Sequence, residues 1–174
     1  MAIFSASFTV SQSADCKTLT FTDTSNYSSN DSSITISSFS TGTRQFIVKD
    51  INGLVLQTID MLISEFTKTY TLTVDAWVSV ELKLVTNASV TYTTTHSVLS
   101  TCFLELCYSE LVAKTDCDCS CGGGSSCGGC GGDDKLRLLE HIKAAEIFAE
   151  YSNPVLAQKQ LDAGTLICEA SQNN

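Results

Sequence analysis

Basic side chains are scarce in this chain: 10 Lys and Arg stand against 19 Asp and Glu, a formal net charge of −9. A protein that neutralises nucleic-acid phosphates needs clustered Lys and Arg, so no specific DNA or RNA binding is expected. Docking on an anionic membrane surface is disfavoured for the same reason. No run approaches the roughly 18 apolar residues of a membrane span. The opening stretch MAIFSASFTV lacks a positive n-region and a long apolar run, so no signal peptide is expected. A reducing cytoplasm is then the default compartment, where thiols stay reduced or hold metal. Catalytic motifs are also missing. There is no nucleophile elbow, no glycine run leading into G-K-[ST], and no strand-G-x-G-x-x-G-helix unit. The two histidines, His96 and His141, are isolated and read as surface or helix-end residues. No enzyme is expected on these grounds.

What the chain does have is a hinge, Thr115 to Asp134, TDCDCSCGGGSSCGGCGGDD. It holds five of the nine cysteines and seven of the ten glycines. Glycine loses more backbone entropy on ordering than any other residue, so a loop is expected here. With 43% apolar residues the whole chain can still bury a core. The hinge separates two halves with different periodicities.

Before it, apolar and Ser/Thr residues alternate with a period of two, the mark of half-buried strands. Phe4 to Val10 is one run, and Leu19 with Phe21 another. A Ser/Asn/Asp loop follows from Asp23 to Ser33. Ile34 and Ile36 start a third strand, and Arg44 to Lys49 form a fourth. Asn52-Gly53 signals a hairpin into the returning strand Leu54 to Met61. Tyr70, Leu72 and Val74 alternate, as do Val78, Val80, Leu82 and Leu84, with Asp75-Ala76 as a tight turn between them. Val90 to Thr95 is either a last strand or an extended linker. Trp77 reads as core or rim, and Cys16 as a small buried thiol. The pattern predicts an immunoglobulin-like antiparallel β-sandwich over residues 1–95.

Beyond Ser97 the period becomes helical. Leu99, Cys102, Phe103 and Leu106 predict the stripe of a first helix over 96–115. After the loop at 116–134, residues 135–174 read as a helical hairpin and polar tail. Leu138, Ile142, Ala145 and Ala149 mark one helix. Asn153 suits an N-cap, Pro154 the first turn of the next helix, and Ala157, Leu161, Thr165 and Cys168 its stripe. Phe148, Leu139, Leu156 and Ile167 lie off these stripes and are candidates for an oligomer interface. The fold class is therefore α+β, a sandwich followed by a small three-helix element.

The chemistry with the strongest spacing signal is C-x-C-x-C-x5-C-x2-C, formed by Cys117, Cys119, Cys121, Cys127 and Cys130. Cys127-x-x-Cys130 is a usual zinc half-site, and Cys117-x-Cys119 or Cys119-x-Cys121 can supply the other. Against this, five thiols compete for four positions and no histidine is near. The other reading is a Gly/Cys loop without cofactor, or one with adventitious disulfides. The cysteine count is odd, so at least one thiol is free or pairs between chains. Asn26-Tyr27-Ser28, Asn30-Asp31-Ser32 and Asn87-Ala88-Ser89 match the glycosylation pattern, which a Ser/Thr-rich chain also produces by chance.

DCKTLTFTDTSNY (Asp15 to Tyr27), AAEIFAEYSNPVLAQKQLDAGTLICE (Ala144 to Glu169) and the order sandwich, helix, cysteine-bearing loop, helical hairpin resemble virion neck and tail ring proteins of crAss-like podoviruses. The resemblance implies a structural subunit in a homo-oligomeric ring of about twelve copies, collaring the DNA exit path. It implies neighbouring neck and tail proteins as partners, and a virion assembled in the host cytoplasm. It carries over no catalytic or cofactor residue. An acidic surface suits a path along which DNA passes without sticking. Two other classes stay open: a cysteine-rich zinc module on a sandwich scaffold, and an immunoglobulin-like adhesin or decoration protein.

Overall fold

The computed structural model describes residues 4–27, 34–115 and 132–172. Residues 116–131 of the cysteine hinge, with all five of its cysteines, lie outside them, whereas its two ends, Thr115 and residues 132–134, are helical and not part of a loop. Two compact units result, one of residues 1–73 with 77–98, the other of residues 74–76 with 99–174.

The first unit is an antiparallel β-sandwich. β1 (Phe8–Gln12), β2 (Thr18–Asp23) and β5 (Thr67–Thr71) form one sheet in the order β1-β2-β5. β3 (Thr43–Lys49), β4 (Val55–Asp60), β6 (Trp77–Val85) and β7 (Thr91–Leu99) form the other, in the order β4-β3-β6-β7. Alternation decides the inward faces. In β6 every second residue, Val78, Val80, Leu82 and Leu84, is buried, as are Phe46 and Val48 in β3 and Leu19 and Phe21 in β2. Phe46 joins the sheets, with ring centroids 5.4 Å from Phe8 and 5.3 Å from Phe21. β3 and β6 pair without a break from Thr43↔Val85 to Lys49↔Ser79. Gly42 stands where that ladder begins. A Cβ there would meet the Val85 carbonyl oxygen at 1.8 Å, so no larger residue fits.

The hairpin between β3 and β4 forms as its sequence predicts. Gly53 has φ +80°, and Asp50 Oδ1 accepts hydrogen bonds from the Asn52 and Leu54 amides, both at 2.8 Å.

Several expectations need correction. Ile36 opens a short 3-10 helix, Ile36–Phe39, instead of a strand. The reason is distant in sequence: Asn87 Nδ2 donates to the Ser37 carbonyl, Asn87 N donates to the Ser38 carbonyl, and Thr41 N donates to Asn87 Oδ1. These contacts satisfy backbone groups that a strand would have to pair. They also engage both ends of the Asn87 side-chain amide. Asp75-Ala76 is not a hairpin turn, because β5 pairs with β2 while β6 pairs with β3. The stretch Val90 to Thr95 is a strand and not a linker: it starts at Thr91 and continues to Leu99 as β7.

The second unit is helical: α1 (Cys102–Thr115), α2 (Gly132–Glu150) and α3 (Pro154–Gln172). Its core is Leu104, Cys107, Leu138, Ile142, Ala145 and Leu161, with Leu99, Tyr108, Leu111, Ile167 and Cys168 packed around it. The stripe expected for α1 is displaced. Leu99 belongs to β7, Leu106 is exposed, and Leu104 and Cys107 face the core. In α2 and α3 the expected stripes hold at Leu138, Ile142, Ala145, Ala157 and Leu161. Gly164 lets α1 approach α3 closely, since a Cβ there would lie 2.9 Å from Leu104 Cδ1. Asn153 caps α3 as expected, its Oδ1 accepting from the Leu156 amide at 3.2 Å. α2 ends in a Schellman turn: the Asn153 amide donates to the Phe148 carbonyl and the Ser152 amide to the Ala149 carbonyl. Ser152 sits at φ +54°.

Candidate functional site

Three arrangements in the structure carry chemistry or shape a surface. The first is a charged knot inside the sandwich. Arg44 on β3 and Asp23 on β2 are both buried and pair at 2.9 Å between Nη2 and Oδ2. Asp23 also accepts from Tyr27 Oη at Oδ2 and from the Ser25 amide at Oδ1. Burial, and then the hydrogen bond to Asp23, raise the Tyr27 phenol well above its usual pKa. Arg44 Nη1 donates to the Leu62 and Ile63 carbonyls at 2.7 and 3.2 Å. Among the described residues its Nε has no hydrogen-bond partner, but its guanidinium lies over the rings of Phe66 and Tyr27, at 5.0 and 5.5 Å from their centroids. Nothing in the local sequence pattern marks Arg44, because it occupies an inward position where an apolar residue is the rule.

The knot fixes the connection between β4 and β5, and with it an open sheet edge. Among the described residues the four-stranded sheet faces one of three strands, and β4 is left exposed. All of its side chains except the half-buried Ile59 are exposed, the apolar Val55 and Leu56 among them. Leu54, Val55 and Leu56 stand exposed at one end. Leu62, at 69% exposure, Ile63 and Phe66 stand at the other. Strand alternation hides this signal, because it assumes that one face of every strand is covered.

The second arrangement is the start of α1. Asp75 is buried, and its Oδ1 accepts from Ser100 Oγ at 2.7 Å and from the Phe103 amide at 3.1 Å. Its Oδ2 accepts from the Leu104 amide at 2.7 Å. The carboxylate thus caps a helix from a distant part of the chain. Desolvation raises its pKa, against the lowering effect of these hydrogen bonds. A cleft of about 330 Å³ opens beside it, lined by Val74, Ala76, Gln158, Asp162, Thr165, Leu166 and Glu169 as well as Asp75. Among the described residues no group of three or more His, Cys, Asp or Glu side chains is placed to hold a metal.

The third is a disulfide. Cys107 on α1 and Cys168 on α3 are bonded across 61 residues of sequence. Cys16 and Cys102 are in disulfide form as well. The expectation of reduced thiols, and of Cys16 as a simple buried thiol, is corrected by these bonds. Short-range spacing could not reveal the Cys107–Cys168 pair, which depends on α1 and α3 lying side by side.

The residues singled out from sequence fall as follows. Cys117, Cys119, Cys121, Cys127 and Cys130 lie outside the described residues. Leu139, Phe148 and Leu156 are half-buried on the helical hairpin, and Ile167 packs against its core. The exposed apolar residues of that unit are others, among them Leu136, Ile147, Tyr151, Val155 and Leu166. Trp77 is half-buried at the start of β6. His96 meets Phe8 edge-on at 4.5 Å, and His141 Nδ1 pairs with Gln160 Oε1 at 2.6 Å. Among the described residues no helix is long and apolar enough to cross a membrane. Compared with family models, with characterised proteins and with solved structures, the chain matches none.

Proposed function

We propose that this chain is a non-catalytic structural subunit that assembles with copies of itself. The setting is the one its sequence resemblance implies, a ring in the neck or tail of a tailed-phage virion, around the DNA exit path. The observation that carries this reading is the exposed β4 edge, with exposed apolar side chains at both of its ends. Surface of this kind is costly for a solitary soluble protein and is normal at a contact between subunits. The formal charge of −9 supports a role beside passing DNA without specific affinity for it. The Cys107–Cys168 disulfide suits a particle that persists outside the reducing cell, with the bond closing after release. Neighbouring neck and tail proteins are the other partners on this reading, and neither membrane nor cofactor is needed. Native mass spectrometry of the purified chain tests it. A closed assembly of many copies is expected. A monomer at every concentration, or one stoichiometric zinc per chain, would overturn it.

A further inference from the structure

We propose that the four-stranded sheet continues from copy to copy, β4 of one chain pairing antiparallel with β7 of the next. This rests on the self-assembly proposed above and assigns its contact.

The direction of the strands makes such a contact available. β3 is antiparallel to both β4 and β6. The link from β6 to β7 is Thr86 to Val90, closed by the Thr86 amide donating to the Val90 carbonyl. It is too short for a crossover, so β7 is antiparallel to β6. Four alternating strands leave the two outer ones running in opposite directions. A copy repeated head to tail therefore lays its β7 antiparallel against β4, and the sheet goes on without a change of pattern. Each chain carries both halves of the contact, which is why the occupant is a second copy and not an unrelated protein.

The chemistry of the two edges agrees. Proteins close exposed edges with Lys, with Pro or with inward charges. β4, VLQTID, has one charge, Asp60, and β7, TYTTTHSVL, has none. In a chain with 19 acids these are segments where two copies can meet without like charges facing each other in any register. A register shift between Val48 and Lys49 is confined to the hairpin end, so Gln57 to Asp60 present a regular ladder. The area is sufficient in kind. Leu54, Val55, Leu56, Leu62, Ile63 and Phe66 are 40–69% exposed. Together they offer on the order of several hundred Å², a large part of the roughly 800 Å² per partner in a stable interface.

Complementary blocking tests the pairing. Val55→Lys with Gln57→Lys blocks β4, and Thr93→Lys with Thr95→Lys blocks β7. All four positions are exposed, so the fold should tolerate them. Each blocked chain alone is expected to need at least about 100-fold more protein to assemble. An equimolar mixture keeps one open β4 and one open β7, and should form pairs that stop at two copies. In the parent, hydrogen exchange should show β4 and β7 amides gaining protection together as the assembly forms, a measurement that decides the matter without any variant. If either blocked chain assembles like the parent, or the β7-blocked chain dimerises alone through β4, the pairing is overturned while self-assembly stands. A parent that stays monomeric overturns both.

Discussion

Arg44 on one sheet and Asp23 on the other form a buried ion pair, 2.9 Å from nitrogen to oxygen, that pins the two layers of the sandwich. The same guanidinium holds the Leu62 and Ile63 carbonyls. Removing one partner strands the other charge in a low-dielectric core, where the loss exceeds the net worth of the pair. Arg44→Met is expected to destabilise the sandwich by about 3–5 kcal/mol in urea unfolding. Adding Asp23→Leu should recover part of that loss. Recovery of none would mean that the bonds from Arg44 to the β4–β5 connection matter more than the ion pair.

Asp75 should stabilise α1 by capping. Asp75→Ala leaves the Phe103 and Leu104 amides without their acceptor, and an expected cost of about 2–3 kcal/mol follows. Burial raises the Asp75 pKa above 3.8. The folded state then holds this proton more tightly than the unfolded chain does. The stability linked to this proton, as distinct from the cap itself, is fully present below the ordinary aspartate pKa of 3.8 and is lost as pH rises through the higher folded value. A carboxyl-carbon NMR titration should place the Asp75 midpoint above that of an exposed aspartate. Over the same window, Asp75→Asn should flatten the pH dependence of thermal unfolding.

Ser152 occupies a left-handed position at the end of α2, with φ +54°. Ser152→Gly removes the Cβ strain and is expected to stabilise by about 0.5–1 kcal/mol, seen as a higher unfolding midpoint. Gly164 is the opposite case. Gly164→Val would push a side chain into Leu104 and Leu138, whose methyls already lie 2.9–3.4 Å from a Cβ built there. A loss of about 1–3 kcal/mol is expected, from overpacking.

The Cys107–Cys168 bond closes a loop with a separation of 61 residues. The chain-entropy relation gives about 4 kcal/mol for a loop of that length. Cys168→Ala should lower the stability of the helical unit by a large part of this, measured by denaturant unfolding without reductant. In excess reductant the parent and the variant should converge. A difference that persists there would point to packing at Cys168 instead of the cross-link.

Local periodicity was enough to identify most elements. Val78, Val80, Leu82 and Leu84 announce β6, and Leu138, Ile142 and Ala145 announce α2, because burial of one face is a repeating constraint that short windows register. Asn52-Gly53 and Asn153-Pro154 work the same way, since a turn or cap depends on backbone geometry within a few residues. Tertiary structure alone decided features whose partners are distant. Ile36 enters a 3-10 helix because Asn87 satisfies that backbone. Leu106 turns outward and Leu104 inward because Asp75 sets where α1 starts. Arg44 is tolerated in the core only because Asp23 waits in the other sheet, and Cys107 meets Cys168 only once α1 and α3 pack. The candidate surface belongs to this second group. VLQTID reads as an ordinary strand by itself, and its exposure follows from a four-stranded sheet set against a three-stranded one. Which strand is left uncovered is a property of how sheets align, a long-range outcome that no short stretch of residues encodes.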